Sequence, residues 1–264
     1  MTRALLLIVL VLLVMASVAG ARVSDLYSSS WDKGVVVVLY GTQYGTAWWI
    51  NENHLVTAAH VVNYHSHITV TIMHGDYIAK ATVIYVDQLH DIAILRADSR
   101  PASQYIFKLS TRGPEKGDII FVIGYPFELY KIVGDLQKMS ANPRVVQGVV
   151  AWVYPEKYLF EFSAATDSGN SGGPIVDAYG NVIGLVSFAM SGEAATLYYG
   201  SSVEAIKQAC RSAGVKYYSG LSSGILSTSG STPVNPALVG AIAGGIAAVL
   251  TTVMIIPIIR SRRR

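Results

Sequence analysis

The sequence predicts an all-β protein with one short helix near the end of its folded part. Between residues 23 and 218, short runs of β-branched and aromatic residues alternate with turns that contain glycine and asparagine. In the run Ile68–Met73, Thr69 and Thr71 alternate with apolar residues, as in a strand with one buried face. Helical spacing is clear only in residues 202–213. Many short strands and a single helix favour a β-barrel or a β-sandwich.

The predicted strands and helix follow from these patterns. The clearest strand runs are Val35–Tyr40, Ile68–Met73, Tyr77–Val86, Ile119–Ile123, Val145–Tyr154 and Val182–Phe188. The helix prediction rests on Val203, Ile206 and Cys210, which recur on one helical face. Cys210 is the only cysteine, so it cannot form an intramolecular disulfide. We interpret it as a small buried apolar residue, and a redox or nucleophilic role is the weaker alternative.

The N-terminal segment has the composition of a secretory signal peptide. An apolar run follows Arg3 and ends in the small-x-small sequence Ala19-Gly20-Ala21. We therefore predict a signal peptide over residues 1–21 that is cleaved before Arg22. An uncleaved membrane anchor is the alternative, because the run is nearly long enough to span a bilayer.

The C-terminal segment predicts a membrane anchor. Residues 237–259 carry no charge and are long enough to cross a hydrocarbon core of about 30 Å. Residues 260–264 include four arginines, which the positive-inside rule keeps in the cytoplasm. We therefore expect a single-pass protein of the cell membrane whose folded domain is extracytoplasmic. Gly240 and Gly244 permit close helix packing, so a homo-oligomer is a secondary expectation.

Composition also defines the domain and excludes one class of partner. We assign residues 22–218 to the folded domain and residues 219–236, rich in serine, glycine and threonine, to a flexible tether. Without Arg3 and the four C-terminal arginines, the formal net charge of +3 becomes −2. No basic stripe remains, so nucleic acid is not an expected partner.

Three short segments hold the residues that can carry chemistry. His60 ends the sequence T-A-A-H, Asp91 begins D-I-A-I-L, and Ser171 lies in G-N-S-G-G-P. A serine hydroxyl is a weak nucleophile at neutral pH and needs a base, which a carboxylate can orient. Each segment alone is a weak signal, because a core histidine or an ordinary glycine turn would explain it.

In this order the three segments resemble the His, Asp and Ser blocks of the trypsin-like serine proteases. The resemblance implies two six-stranded antiparallel β-barrels with a triad of His60, Asp91 and Ser171 in the cleft between them. It also implies peptide-bond hydrolysis through an acyl-enzyme, without a cofactor. The turn Gly169, Asn170 and Ser171 is expected to form the oxyanion hole, with the backbone N–H groups of Gly169 and Ser171 as donors.

Further segments resemble the HtrA/Deg branch of this superfamily. Gly117-Asp118, followed by I-G-Y-P-F at Ile123–Phe127, is similar to a G-D…I-G-x-P-F element, and Val145–Val150 is similar to the next strand. The resemblance covers most of residues 35–205. It implies polypeptide substrates and a role in quality control of unfolded or surface proteins. The remaining sequence is not expected to hold a PDZ domain, so regulation by such a domain and the oligomeric state are not implied.

Two other functions remain open from the sequence. A protease fold without activity would act as a chaperone or adaptor, although the intact motifs argue against it. A site-specific protease that processes one membrane neighbour is the other alternative. Because Asn170 replaces the aspartate that precedes the serine in zymogens, activation by insertion of a new N-terminus is not expected.

The resemblance also indicates a specificity pocket. Residues expected to line it are Ala165, Thr166, Ser187, Phe188 and Ala189. Ala165 falls where trypsin carries its acidic pocket base, so we expect a small or medium apolar residue before the cut rather than lysine or arginine. Ser187 is also expected to support Asp91. Asp167 is interpreted as a solvated turn residue, with an inward orientation as the alternative.

A metal site is the weaker interpretation of a histidine cluster. His65, His67 and His74 follow His60 closely, and two imidazoles on one strand face can bind zinc. No third ligand is positioned by the sequence, and a polar loop explains the cluster equally well. We therefore expect no metal.

Overall fold

The structure, a computed structural model, describes residues 26–193 and 195–220. The predicted signal peptide, the membrane span of residues 237–259 and the basic tail of residues 260–264 lie outside the described residues and stay predictions. Among the helices that the structure describes, none is long and apolar enough to cross a membrane.

Six antiparallel strands close the first barrel. Around the barrel, the strand order is β1-β2-β3-β6-β5-β4. The strands are β1 (Val35–Tyr40), β2 (Gln43–Trp49), β3 (His54–Thr57), β4 (Thr69–His74), β5 (Tyr77–Asp87) and β6 (Ile92–Ala97). Leu55, Ile72 and Ile94 are fully buried, because alternate side chains of a barrel strand point into the closed interior.

The second barrel is a ring of six antiparallel strands with two short additions. The ring has the order β11-β8-β9-β10-β13-β12, and pairing of β12 with β11 closes it. β7 and β14 extend this sheet through parallel pairings that the sequence did not predict. The strands are β7 (Lys108–Ser110), β8 (Ile119–Gly124), β9 (Arg144–Tyr154), β10 (Leu159–Phe162), β11 (Pro174–Asp177), β12 (Asn181–Ser191), β13 (Thr196–Ser202) and β14 (Ser219–Gly220).

The predicted two-barrel fold is confirmed, with a different end to the folded part. Ile120, Phe160, Phe162 and Ile175 form part of the apolar core of the second barrel. Residues 219–220, which we assigned to the tether, belong to β14 and pair with β7. Two residues carry too little pattern to be identified as a strand from sequence.

The C-terminal helix was predicted correctly and packs against both barrels. Helix α3 (Val203–Ser212) buries Val203, Ile206 and Cys210, the three residues from which the helix was predicted. It contacts β5 and β6 of the first barrel and β12 and β13 of the second. The helix therefore packs its apolar face against strands of both barrels and connects them.

Two further helices show that the single-helix prediction was wrong. α1 (Phe127–Val133) and α2 (Leu136–Ser140) lie between β8 and β9. Gly134 ends α1 with a φ of 71°, and the Asp135 carboxylate accepts a hydrogen bond from the Lys138 amide at 3.0 Å to start α2. These capping residues are visible in the sequence, but each helix is too short to display helical periodicity.

Candidate active site

An imidazole and a carboxylate from separate strand ends meet in the cleft between the barrels. His60 lies in a short 3-10 helix that follows β3, and Asp91 immediately precedes β6. His60 Nδ1 lies 2.8 Å from Asp91 Oδ2, and the His60 backbone N–H donates to Asp91 Oδ1 at 2.9 Å. The carboxylate thus holds both the ring and the backbone of His60. This geometry fixes the ring orientation and favours a proton on Nδ1.

Asp91 is itself held from two further directions. The Ser187 hydroxyl, on β12 of the other barrel, donates to Asp91 Oδ2 at 2.5 Å. The Asp91 carbonyl accepts from the Ala59 amide at 3.1 Å. The backbone of Asp91 has a φ of 55°, a left-handed conformation that is uncommon outside glycine and clusters at functional sites. The hydrogen bond expected between Ser187 and Asp91 is present.

Ser171 lies in the turn that connects β10 to β11, and β2 of the first barrel holds that turn. The Thr46 amide donates to the Ser171 carbonyl at 2.9 Å, and the Thr46 hydroxyl donates to the Gly169 carbonyl at 2.7 Å. The same hydroxyl accepts from the Tyr125 amide at 3.1 Å. Thr46 therefore fixes the nucleophile turn against the first barrel.

Ser171 and His60 line the same cleft. This cleft has a volume of about 480 Å³, and Asp91, Ser187 and Phe188 also line it. Among the described residues, no hydrogen bond joins the Ser171 hydroxyl to His60. Such bonds are commonly long or poorly aligned in unliganded active sites and tighten when substrate is bound.

The backbone around Ser171 presents two free N–H groups. Gly169 has a φ of 91°, and within the described part of the chain no acceptor is bonded to the amides of Gly169 and Ser171. The Asn170 amide instead donates to the Asp167 carbonyl at 3.0 Å, so it is not available as a third donor. Of the three residues predicted for the oxyanion hole, Asn170 thus serves the turn, while the amides of Gly169 and Ser171 remain unengaged.

The Asn170 side chain is buried beside this turn. A carboxylate at that position would be an unpaired charge in the interior, which needs a cationic partner. The neutral amide removes that requirement.

A second cavity, of about 580 Å³, opens beside Ser171. Its walls include all five residues predicted to form the specificity pocket: Ala165, Thr166, Ser187, Phe188 and Ala189. Asp167, considered at this place from the sequence, also lines it, and so does Arg144, which was not predicted. Asp167 is exposed and accepts a hydrogen bond from the Ser168 amide at 2.8 Å, as expected for a turn residue.

The surroundings of Tyr44 show how tightly the turn is packed. Its ring lies against Gly169 and 6.2 Å from the ring of Phe127. Burial of the hydroxyl, and then the negative charge of Asp167, raise the pKa of Tyr44 to about 12. The Tyr44 hydroxyl is thus far from ionisation at physiological pH, and the ring packs over the turn.

Comparison with known proteins assigns the family. Residues 45–185 match the family described as trypsin-like peptidase domain. The chain belongs to the trypsin-like peptidase family. The mitochondrial serine protease HTRA2 of Bos taurus is 31% identical to this peptidase over 136 residues, 50% of this chain and 28% of HTRA2. The predicted resemblance to the HtrA/Deg branch is thereby confirmed.

Two further comparisons define how far the similarity extends. The peptidase is 32% identical over 188 residues to the uncharacterized protein y4bJ of Sinorhizobium fredii, which covers 71% of this chain and 28% of y4bJ. This chain therefore spans less than a third of the length of these two curated relatives. The active form of the Rv3671c protease from M. tuberculosis has the same fold, with a TM-score of 0.58 and 23% identity over 73% of this chain and 86% of that one.

The structure also shows the surroundings of the histidines considered as metal ligands and of Cys210, considered as a nucleophile. His74 Nδ1 lies 3.1 Å from the Val35 carbonyl, and His67 Nδ1 lies 3.1 Å from the Ser66 hydroxyl. Within residues 26–193 and 195–220, no three histidine, cysteine or acidic side chains are close enough to hold a metal. Burial raises the pKa of the Cys210 thiol to about 12, so the thiol stays protonated and is not a nucleophile.

Sequence reasoning missed Thr46 and Tyr125. Thr46 reaches Gly169 across 123 positions of the chain, and the Tyr125 carbonyl oxygen occupies the space beside the Gly169 α-carbon. A threonine inside an apolar strand run gives no local sign of such a contact. The proline that follows Tyr125 fixes the backbone there, but it does not identify the partner.

The packing of Gly169 leads to a testable prediction. In Gly169→Ala the new methyl group would overlap the Tyr125 carbonyl oxygen, and alanine is strained at a φ of 91°. The turn must then shift, and the amides of Gly169 and Ser171 lose their common direction. We expect kcat for peptide hydrolysis to fall by about 10²- to 10³-fold, the loss typical of one oxyanion donor.

A matched substitution separates the effect of this close packing from the effect of replacing any glycine that has a positive φ. Gly41 also has a positive φ, of 61°, but nothing lies within 4 Å of the position that a β-carbon would take there. Gly41→Ala should therefore leave kcat within about twofold of the wild-type value while sharing the backbone strain. Equal kcat in the two variants would show that the close packing at Gly169 does not matter.

Proposed function

We propose that this protein is a serine endopeptidase in which His60, Asp91 and Ser171 form the catalytic triad. The observation that carries the proposal is the chain of hydrogen bonds from Ser187 through Asp91 to His60, which ends in the cleft that Ser171 lines. Both motif order and this geometry match the needs of a base-activated serine.

The proposed mechanism uses each group in turn. His60 Nε2 removes the proton of the Ser171 hydroxyl as the oxygen attacks the substrate carbonyl, and it later donates that proton to the leaving amine. Asp91 keeps Nδ1 protonated, so Nε2 is free to act as a base, and its charge stabilises the imidazolium that forms. A water molecule then hydrolyses the acyl-enzyme with His60 again acting as the base.

The negative charge that develops on the substrate oxygen needs donors. The backbone N–H groups of Gly169 and Ser171 have no other acceptor among the described residues and belong to one tight turn. We assign the oxyanion hole to these two amides. Each such donor contributes about 3 kcal/mol to transition-state stabilisation in a preorganised site.

Strand β12 offers an edge on which an extended substrate can pair. One edge of β12 pairs with β13 as far as Ser191. The other edge pairs with β11 up to Leu185, but from Ser187 to Ser191 this second edge has no strand partner within the described chain. An extended peptide that pairs antiparallel with this edge runs from Ser191 toward Ser187, so its carbonyl end arrives at Ser171. Residues before the cut therefore add a strand to the sheet, which requires a locally unfolded substrate.

The cavity beside Ser171 would accept the side chain before the cut. Ala165 and Ala189 give this cavity of about 580 Å³ apolar surface. Asp167 also lines this cavity, but it is exposed and its carboxylate accepts a hydrogen bond from the Ser168 amide. Solvent screens its charge more than that of a buried pocket base, which supports a preference for apolar side chains over lysine and arginine. Arg144 on the wall is a further reason to disfavour a cationic side chain.

We further propose that the enzyme is anchored in the cell membrane with its active site outside the cytoplasm. The uncharged residues 237–259 and the arginines of residues 260–264 support this topology. The need for an extended substrate supports a role in degrading unfolded or surface proteins. Processing of a single membrane neighbour requires the same chemistry and differs only in the range of substrates.

A cleavage experiment tests function and preference together. The full-length chain in detergent micelles should cleave unfolded casein, and a fluorophosphonate should label Ser171 and block cleavage. Sites mapped by mass spectrometry should follow valine, leucine or alanine, with kcat/KM for such peptides at least about tenfold above that for arginine peptides. Cleavage mainly after arginine would contradict the pocket assignment. A protein that binds casein without labelling or cleavage would instead be a chaperone or adaptor.

A further inference from the structure

A row of mostly apolar, partly exposed side chains crosses the outer face of the second barrel. Trp152 on β9, Glu161 on β10, Tyr199 on β13 and Phe188 on β12 are direct cross-strand partners in successive strands. Direct partners point to the same face of a sheet. The neighbouring partners Val153 and Phe160 face the core, so the row of Trp152 faces away from it.

Further exposed residues widen this row. Met190 and Leu197 are direct partners two positions beyond Phe188 and Tyr199, and the ring of Tyr154 lies 5.4 Å from that of Trp152. We refer to this surface as the aromatic platform. Its members are Trp152, Tyr154, Phe188, Met190, Leu197 and Tyr199. Met190 is 57% exposed, Phe188 44% and Trp152 40%, which is a large apolar area to leave in water.

The aromatic platform is continuous with the catalytic cleft. Phe188 belongs to the platform, lines the cleft with His60, and stacks on Tyr199 with ring centroids 5.0 Å apart. The opposite face of the same hairpin is different: Ala189, Ser191 and Tyr198 line the cavity beside Ser171. The hairpin of β12 and β13 thus has one face for the residue before the cut and one face that carries the platform, and Phe188 lines the cavity as well as belonging to the platform.

We propose that the aromatic platform binds a second, apolar segment of the same polypeptide substrate, upstream of the residues that pair with β12. This proposal rests on the proposed function and extends it to a substrate class. Three inter-strand spacings separate Trp152 on β9 from Phe188 on β12, which is about 14 Å at the usual distance between neighbouring strands. An extended chain crosses that distance in about four to five residues. The residues that pair with Ser187–Ser191 lie between this segment and the cut, so the segment begins about five residues before the cut.

The negative charge of Glu161 narrows the amino-acid composition expected of the bound segment. Glu161 lies in the row between Trp152 and Tyr199, and no described cation forms an ion pair with it. A bound segment with aromatic and aliphatic residues would cover the platform, and a lysine in it would meet the Glu161 carboxylate. A glutamate at the same place would meet a like charge. Apolar segments of unfolded proteins fit this surface better than acidic linkers.

The test compares peptides of different length and composition on the full-length chain in detergent micelles. One peptide has four residues before the cut, a second adds six upstream residues rich in phenylalanine, leucine and lysine, and a third adds six glycines and serines. We expect kcat/KM for the apolar extension to be about tenfold above that for the glycine–serine extension, which corresponds to 1.4 kcal/mol. In Trp152→Ser and in Met190→Ser this ratio should fall to about two.

A control variant and the short peptide separate the possible outcomes. Ile78, 53% exposed on β5 of the first barrel, is outside the platform, so Ile78→Ser should keep the tenfold ratio. Loss of cleavage of the short peptide would refute the proposed function itself. Cleavage of the short peptide with equal kcat/KM for both extensions would refute the platform alone.

Two other occupants of the platform give different results, and each would overturn the proposal. If lipid covers it, brominated phosphatidylcholine in reconstituted vesicles should quench the fluorescence that Trp152→Ser removes, and the extension should have no effect. If a second copy of the chain covers it, Met190→Ser should lower the molecular mass in sedimentation, and the ratio should again be near one.

Discussion

Replacing Ser171 by alanine should lower kcat for peptide hydrolysis by on the order of 10⁶-fold, the largest effect expected of any single substitution here. The hydroxyl is the proposed nucleophile, whereas the other two serine hydroxyls of the cleft donate elsewhere, Ser187 to Asp91 and Ser201 to the His90 carbonyl. Because the Ser171 side chain has no hydrogen-bond partner among the described residues, folding should not depend on it. The measurement is single-turnover cleavage of a fluorogenic apolar peptide, with the melting temperature recorded in parallel.

A second serine provides the control for this substitution. Ser212 lies at the end of α3, is exposed, and is remote from the cleft. Ser212→Ala should retain wild-type kcat and the fluorophosphonate label, whereas Ser171→Ala should lose both. Casein cleavage that persists in Ser171→Ala, at a purity that excludes contaminating proteases, would mean that the nucleophile is a different residue.

Asp91→Asn should lower kcat by about 10⁴-fold while leaving the fold intact. The amide oxygen can still accept from the His60 backbone N–H, so the amide NH₂ group then faces His60 Nδ1. An NH₂ donor favours the imidazole tautomer with its proton on Nε2, which cannot accept the proton of Ser171. The charge that stabilises the imidazolium is also lost. Steady-state kinetics at pH 7 to 8 would measure the decrease.

Asp87 supplies a matched control close by. Its Oδ2 atom lies 2.8 Å from His90 Nδ1, the same geometry as the pair of Asp91 and His60, and His90 adjoins Asp91 in the chain. Asp87→Asn should change kcat by less than about tenfold, because His90 takes no part in the proposed chemistry. Equal losses in the two variants would indicate that both substitutions act by disturbing the loop before β6.

Local patterns in the sequence predicted six of the fourteen described strands (β1, β4, β5, β8, β9 and β12) and the helix α3. β1 has the predicted limits, and the limits of β5, β9 and α3 differ from the predicted ones by one residue at most at each end. These segments are long or strongly patterned, so burial leaves a clear period in the sequence. The short helices α1 and α2 and the two-residue strand β14 leave no such period, and the sequence alone did not predict them.

The candidate site likewise contains residues that the sequence identified and residues that only the structure revealed. His60, Asp91 and Ser171 stand in short motifs whose order resembles one family, and that resemblance named all three. Thr46, the Tyr125 carbonyl and the aromatic platform were not foreseen, because each depends on residues that are far apart in the chain. The engagement of the Asn170 amide by Asp167 was also not foreseen, since it depends on the exact path of the turn.

The sequence by itself determined the fold class, the identity of the motif residues and the apolar character of both termini, because each is encoded within a few neighbouring positions. The tertiary structure decided which groups face the cleft, which amides remain unengaged and which apolar side chains stay in water. Those properties depend on closure of two barrels, which brings β2 against the nucleophile turn and aligns four strands of the second barrel in register. Pairing between distant segments has no local signature, because the side chains that meet share no sequence period.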